Sequence, residues 1–348
     1  MARIIYLMPT VTSPKGGVRA AYRHVEILAR HGFDAYVSHD DPDYAPSWFP
    51  AGVPRLSARE PLSVTPDDVV VFAETNRDLG LVKDSRCRKF VFCQNHFYVF
   101  QSIGETAGWR ELGIERVFCS SHVIADFLAR HLGWPDAPVI PYAIDGRLYG
   151  RRQRLLRILS MPRKLRHELH YVRNVLRRTK DGAYDVTWRR IDGQDEATTA
   201  RALCECAIFA SGSHLEGFGL PPLEAMAAGA IVVGFRGDGG RDYARPDNGY
   251  WVDDLDLVGF AERLAHVIDL VRARDPEIDR VRRNGLATAA VYSVRRLEAM
   301  LLAFWSAALG RPNPLAAPAG PAPVGPAAAL ADGPDWTTTA PFAEETGS

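Results

Sequence analysis

Between Ser211 and Asp242 the chain reads SGSHLEGFGLPPLEAMAAGAIVVGFRGDGGRD, which constrains a loop, a helix and a strand in succession. Glu216 and Glu224 stand eight positions apart, with Gly217, Phe218, Gly219, Leu220 and the pair Pro221–Pro222 between them. Proline is tolerated at a helix start, where no hydrogen bond is required of its nitrogen. The stretch therefore predicts a helix from Pro221 or Pro222 that stops at Gly229. Ala230 to Phe235 follows as a short buried strand. Glu216 then lies on a loop and Glu224 in the first turn of a helix. Glycines let that loop approach a ligand closely, and the N–H groups of the helix start can receive a phosphate.

This arrangement suits a sugar nucleotide. Glu224 can accept hydrogen bonds from both hydroxyls of a ribose diol, and Glu216 can hold hydroxyls of a sugar. A diphosphate would lie over the glycines. Two solvated glutamates on an ordinary loop–helix connection are the alternative, which leaves the joint placement of glycines, prolines and acids unexplained. The run EGFGLPPLEAMAAG resembles the donor-binding signature of GT-B fold glycosyltransferases, in particular the large retaining family four. The resemblance implies that Glu216 contacts the transferred sugar and Glu224 the nucleotide ribose.

A chain of 348 residues is long enough for two domains. Its 42 basic and 42 acidic residues give no case for a nucleic-acid partner. Cys93, Cys119 and Cys206 lie in or beside apolar runs, and no CxxC pair is present. The cysteines read as reduced core residues of a cytoplasmic protein. The opening MARIIYLMP is too short for a signal peptide, and the longest apolar run, Ala299 to Leu309, falls short of the ~20 residues of a membrane span.

Arg3 to Met8 reads as a first strand, followed by the loop PTVTSPKGG and a helix from about Val18 to Arg30. Gly16 and Gly17 stand where backbone N–H groups can meet an anion, and resemble the glycine-rich first loop of the same enzymes. Further strands are predicted at Ala35 to Ser38, Val69 to Ala73, Lys89 to Cys93, Arg116 to Ser120 and Val139 to Ile140. Val123 to Leu132 reads as a helix capped by Ser121. Alternating strands and helices imply a doubly wound α/β sheet with ligands at the carboxyl ends of its strands. Gln94, Asn95 and His96 end one such strand, and His96 is a candidate to meet the donor sugar or the acceptor. His167 and His170 share a helical spacing but lack a third ligand, and read as a solvated face.

Val139 to Tyr149 resembles the hinge of these enzymes, with Tyr142–Ala143 in place of the usual Asn–Gly. The expected organisation is an N-terminal Rossmann-like domain over 1–146 and a C-terminal one over 147–292. A terminal helix over 293–310 would return to the first domain, ahead of a disordered Ala/Pro-rich tail over 311–348. LLRILSM reads as the first strand of the second domain. Arg163 and Lys164 end it where a cation would stabilise leaving diphosphate charge, with Arg166 a third candidate. The basic face that follows could touch anionic headgroups. The family's next strand is reduced here to DVTWRRIDG. Gly237–Gly240 reads as a flexible loop facing the site. Asp253, Asp254 and Asp256 read as residues capping a helix from Leu257, not as a metal-binding DxD.

The expectation is a GT-B fold, two doubly wound domains facing across a cleft. Its activity would be metal-independent transfer from a nucleoside diphosphate sugar to a glycan or lipid-linked acceptor. The resemblance adds retention of configuration and a role in surface polysaccharide or glycan assembly; the cysteines and the basic face point to a cytoplasmic place, peripheral at the inner face of the membrane. No cofactor beyond the donor co-substrate is expected. The alternative is a catalytically inactive GT-B subunit that binds nucleotide or a partner.

Overall fold

The computed structural model describes residues 2–39, 41, 43–49, 52–56, 63–76, 86–103, 108–150, 152–162 and 164–315. Arg163 and residues 316–348 of the expected tail lie outside them. The described chain forms two compact units, residues 2–143 with 295–315, and residues 144–294. The division falls slightly ahead of Gly146 because Ile144 N donates to Tyr292 O (2.7 Å), tying it to the second unit.

The first unit is built on strands β1 (Ile4–Met8), β2 (Ala35–His39), β3 (Arg55–Leu56), β4 (Val69–Ala73), β5 (Arg88–Cys93) and β6 (Arg116–Cys119). They form one parallel sheet in the order β3-β2-β1-β4-β5-β6. Its central strands are almost continuously apolar and buried, as covering both faces of a parallel sheet requires. Helix α1 (Gly16–Arg30) buries a stripe that includes Val18, Tyr22, Val25 and Leu28. It begins at the glycine pair instead of at Val18, so Gly16 and Gly17 are helical. Helix α2 (His122–His131) is capped by Ser121, whose Oγ accepts from Ile124 N at 3.2 Å.

Val139–Ile140 is not a strand. Proline on either side, Pro138 and Pro141, supplies no N–H, so pairing stops at a single bridge from Val139 to Cys119.

The second unit holds β7 (Leu155–Ser160), β8 (Thr187–Arg190), β9 (Cys206–Gly212), β10 (Ile231–Phe235) and β11 (Tyr250–Val252). They too are parallel, in the order β11-β10-β9-β7-β8. The DVTWRRIDG segment supplies β8, a short edge strand with Arg189 and Arg190 exposed. Helices α3 (Arg166–Arg178), α4 (Glu196–Cys204), α5 (Leu220–Ala227), α6 (Leu257–Ala273) and α7 (Pro276–Val291) surround the sheet. Asp256 caps α6 by accepting from Gly259 N at 2.9 Å.

Helix α8 (Val294–Leu309) packs in the first unit from Arg295 onward. Trp305 is fully buried, stacked on Phe90 with ring centroids 5.5 Å apart and edge-on to Tyr6 at 6.3 Å. Glu298 accepts from Arg30 (2.7 Å) and His31 (2.6 Å) at the end of α1. Among the described residues no helix is long and apolar enough to cross a membrane.

Candidate active site

In the second unit, β9 delivers the chain through Ser213 and His214 to Glu216. Leu215 sits at φ +49°, in the left-handed region, and turns the chain so that Glu216 follows a sharp corner. Gly219 then caps α5 at φ +80°, which a residue with a Cβ adopts only under strain. Leu220 is already helical, ahead of both prolines. Glu224 therefore lies beyond the first turn, at 4% exposure, and not in the first turn as the proline positions imply.

Segment Gly239–Asp242, a 3-10 turn, holds the glutamate loop from outside. Gly239 N donates to Glu216 O at 2.9 Å. A Cβ on Gly239 would stand 2.4 Å from both Phe218 N and Cα, so only glycine allows this approach. Tyr243 Oη donates to Gly219 O at 2.5 Å, and its ring packs with Phe218 and Tyr292 at centroid distances of 6.2 and 6.1 Å. Ser211 Oγ donates to Phe235 O (2.6 Å), joining the ends of β9 and β10. The expected flexible loop is thus a buried clamp on Glu216–Gly219. Tyr243 is missed by sequence reasoning because no spacing announces that the chain after GDGG folds back on the loop.

Lys164 and Glu216 meet. The ammonium lies 3.0 Å from Glu216 Oε1 and donates to Leu215 O at 2.7 Å, with side-chain exposures of 19% and 24% for the two residues. The third cationic candidate, Arg166, forms a short ion pair with Asp192, joining the start of α3 to the segment after β8. Burial raises the Asp254 carboxyl, an effect that neighbouring His214 opposes. Among the described residues no group of three or more His, Cys, Asp or Glu side chains is placed to hold a metal ion.

At the carboxyl edge of the first sheet, the Gln94 carboxamide covers the glycine pair. Its Oε1 accepts from Tyr142 Oη at 2.6 Å and stands 2.4 Å from where a Cβ on Gly17 would be. Gly16 faces the Tyr142 ring, 3.9 Å from the corresponding point. Gln94 N donates to Glu74 Oε2 (2.9 Å) at the end of β4. Glu74 is buried, which pushes its carboxyl up to about 7. Asn95 accepts from Phe97 N at 3.1 Å and caps the 3-10 helix His96–Gln101. The buried His96 ring lies against Phe97 (4.1 Å) and Phe127 (5.1 Å). His167 and His170 are exposed on α3, where His170 pairs with Asn174 at 3.0 Å.

Residues 192–283 match the family described as Glycosyl transferases group 1. An α-1,6-glucosyltransferase of Actinobacillus pleuropneumoniae serotype 7 (strain AP76) is 24% identical over 266 residues, spanning 73% of this chain and 80% of that protein. Sucrose-phosphate synthase of Thermosynechococcus elongatus superposes with a TM-score of 0.68 at 13% identity, covering 89% of this chain and all of that one. Anabaena HepE in complex with UDP-glucose gives 0.63 at 14% identity, over 88% of this chain and all of that one. The chain is a glycosyltransferase with the GT-B fold. The group 1 match takes in β9, α5 and β10, so the glycosyltransferase signature and the Glu216–Glu224 geometry coincide. The enzyme transfers a sugar to an acceptor.

Proposed function

We propose that Glu224 binds the ribose diol of a nucleoside diphosphate sugar, that Glu216 holds the sugar, and that Lys164, with Arg163, meets the diphosphate. Gly217, Phe218, Gly219 and Leu220 form the wall along which the diphosphate lies. The observation that carries this reading is the convergence of Lys164 on Glu216, beside the helix that bears Glu224. A cation placed there stabilises charge on the leaving diphosphate, and no metal or other cofactor is required for that step. In the first unit, Gly16 and Gly17 contribute donor contacts and His96 a contact to the reacting sugars. Transfer proceeds with retention, the leaving phosphate taking the proton of the acceptor hydroxyl.

UDP-glucose is the first donor to test, because HepE was solved with it and the relative above is a glucosyltransferase. The acceptor is a glycan or a lipid-linked glycan of surface polysaccharide assembly, and the enzyme is cytoplasmic. Arg173 and Arg178, on α3 with the half-exposed Tyr171, support contact with anionic headgroups.

Calorimetric titration with UDP and a transfer assay test the reading together. Glu224→Ala should weaken UDP binding by roughly 30- to 1000-fold, from two lost charged hydrogen bonds. Glu216→Ala should lower turnover on the order of a hundredfold through lost alignment. Activity should survive excess chelator, and anionic vesicles should pull the protein down where neutral ones do not. Unchanged UDP affinity in Glu224→Ala would remove the ribose assignment.

A further inference from the structure

Lys164 has anionic company in the second unit. Its ammonium reaches both the Glu216 carboxylate and the Leu215 carbonyl, on the loop that carries the sugar-binding acid. Both partners are more than three-quarters buried, so their attraction exceeds that of a solvated surface pair. The loop backbone has other anchors. Gly239 N holds Glu216 O and Tyr243 Oη holds Gly219 O. The side-chain pair can therefore open while the loop stays in place.

An ammonium has three donors and one point charge to offer. If it turns to a diphosphate, the Glu216 carboxylate gives up this ion pair, a loss that other donors can offset. Sugar hydroxyls are such donors. An intact donor supplies them along with the diphosphate, whereas a bare nucleoside diphosphate supplies none.

We infer that Lys164 is shared between Glu216 and the diphosphate, and that this sharing couples sugar recognition to the grip on the leaving group. Sugar hydroxyls on Glu216 release Lys164 to the diphosphate. Once the sugar has been transferred, Glu216 reclaims Lys164 and the nucleotide product is held less tightly. Lys164 is a positioning residue for Glu216 when paired with it and a diphosphate ligand in the donor complex. The inference rests on the donor reading above and adds a sign to it: the carboxylate that binds the sugar opposes binding of the bare product. Coupling of this kind is reciprocal in binding free energy.

The test is titration of the full chain with UDP for wild type, Glu216→Gln, Lys164→Met and the double variant, with melting curves to check each fold. Glu216→Gln keeps the shape and the backbone contact to Gly239 while removing the charge. It should bind UDP about three- to tenfold more tightly than wild type, the effect of a partly buried ion pair that no longer competes. Lys164→Met should bind UDP more weakly. In its background, Glu216→Gln should change UDP affinity less than twofold, because the competing partner is gone. If Lys164→Met fails to fold, Lys164→Gln takes its place in the cycle. Equal or weaker UDP binding by Glu216→Gln overturns the inference while leaving the donor reading standing. So does tightening that persists without Lys164, which would reflect general charge repulsion. Absence of nucleotide binding by the wild type, tested over the common nucleoside diphosphates, overturns the donor reading and the inference together.

Discussion

Replacing Gly239 with alanine isolates the clamp on the glutamate loop. The backbone at Gly239 lies outside the left-handed region, so alanine meets no conformational penalty there. The penalty is contact alone. The new methyl would sit 2.4 Å from Phe218 N and Cα and 2.5 Å from Gly217 C, all backbone atoms of the facing loop. Ordinary van der Waals separation requires one side to retreat by about 1 Å, and backbone cannot rotate away as a side chain can. Overpacking of this kind costs about 1–3 kcal/mol, which for a unit of this size lowers the melting temperature by about 2–10 °C. The larger effect falls on catalysis, because a displacement of ~1 Å of the loop holding Glu216 costs on the order of a hundredfold in turnover. Gly240→Ala is the matched control. Its methyl would lie 3.1 Å from the Arg236 Cβ, a contact relieved by a shift of only a few tenths of an ångström. Turnover within about threefold of wild type is expected there. The assay is nucleotide release from UDP-sugar, beside scanning calorimetry. If Gly239→Ala melts within about 1 °C of wild type and keeps its turnover, the loop is not held as described.

Two buried groups of the first unit titrate in opposite directions. Burial holds the His24 imidazole down to about 3 from its ordinary 6.5, so the unfolded chain takes that proton first and stability rises with pH between these values. Glu74 moves up to about 7 from 4.5, so the folded chain keeps its proton and stability falls as pH rises through that range. The slopes oppose one another from about 4.5 to 6.5, and Glu74→Gln should unmask the histidine, raising stability by about 1.4 kcal/mol per pH unit there. A melting temperature of Glu74→Gln that is flat between these pH values counts against the burial of His24. A chain ending at Tyr292 uncovers Phe90 and Tyr6 by removing Trp305 and should aggregate. Soluble, active protein from the shorter chain would refute the packing of α8.

The elements legible in the sequence were those with a single strong signal. Val69–Ala73 is five apolar residues in a row, and α8 is apolar from Ala299 to Leu309 but for Ser306. Ser121 and Asp256 announce their helices as caps. What stayed hidden depends on neighbours. β3 is two residues long and exists because β2 pairs with it. α7 carries a mixed face, and its readable sign was the pair Asp275–Pro276, cap and first helical residue. Glu216 and Glu224 were legible because glycine, proline and acid fall in one short stretch. The meeting of Lys164 with Glu216 was not, since it spans β7 to the loop after β9 and only the fold brings these ends together.

The three cations expected near the diphosphate are therefore not equivalent. Arg166 is the first residue of α3, and its ion pair with Asp192 joins that helix to the segment after β8. β8 is an edge strand of four residues with one neighbour, β7, so few backbone bonds hold its end. Moving Arg166 to a ligand would give up its half-exposed ion pair with Asp192, just beyond that strand. Lys164 is placed differently, because the loop it touches is fixed by Gly239 and Tyr243 whether or not the lysine stays. Its departure gives up the Glu216 ion pair and the Leu215 carbonyl hydrogen bond, contacts of a kind a diphosphate can return to it. Between these two residues, Lys164 is the one seated on the loop that carries Glu216, while Arg166 is paired with Asp192 at the end of β8.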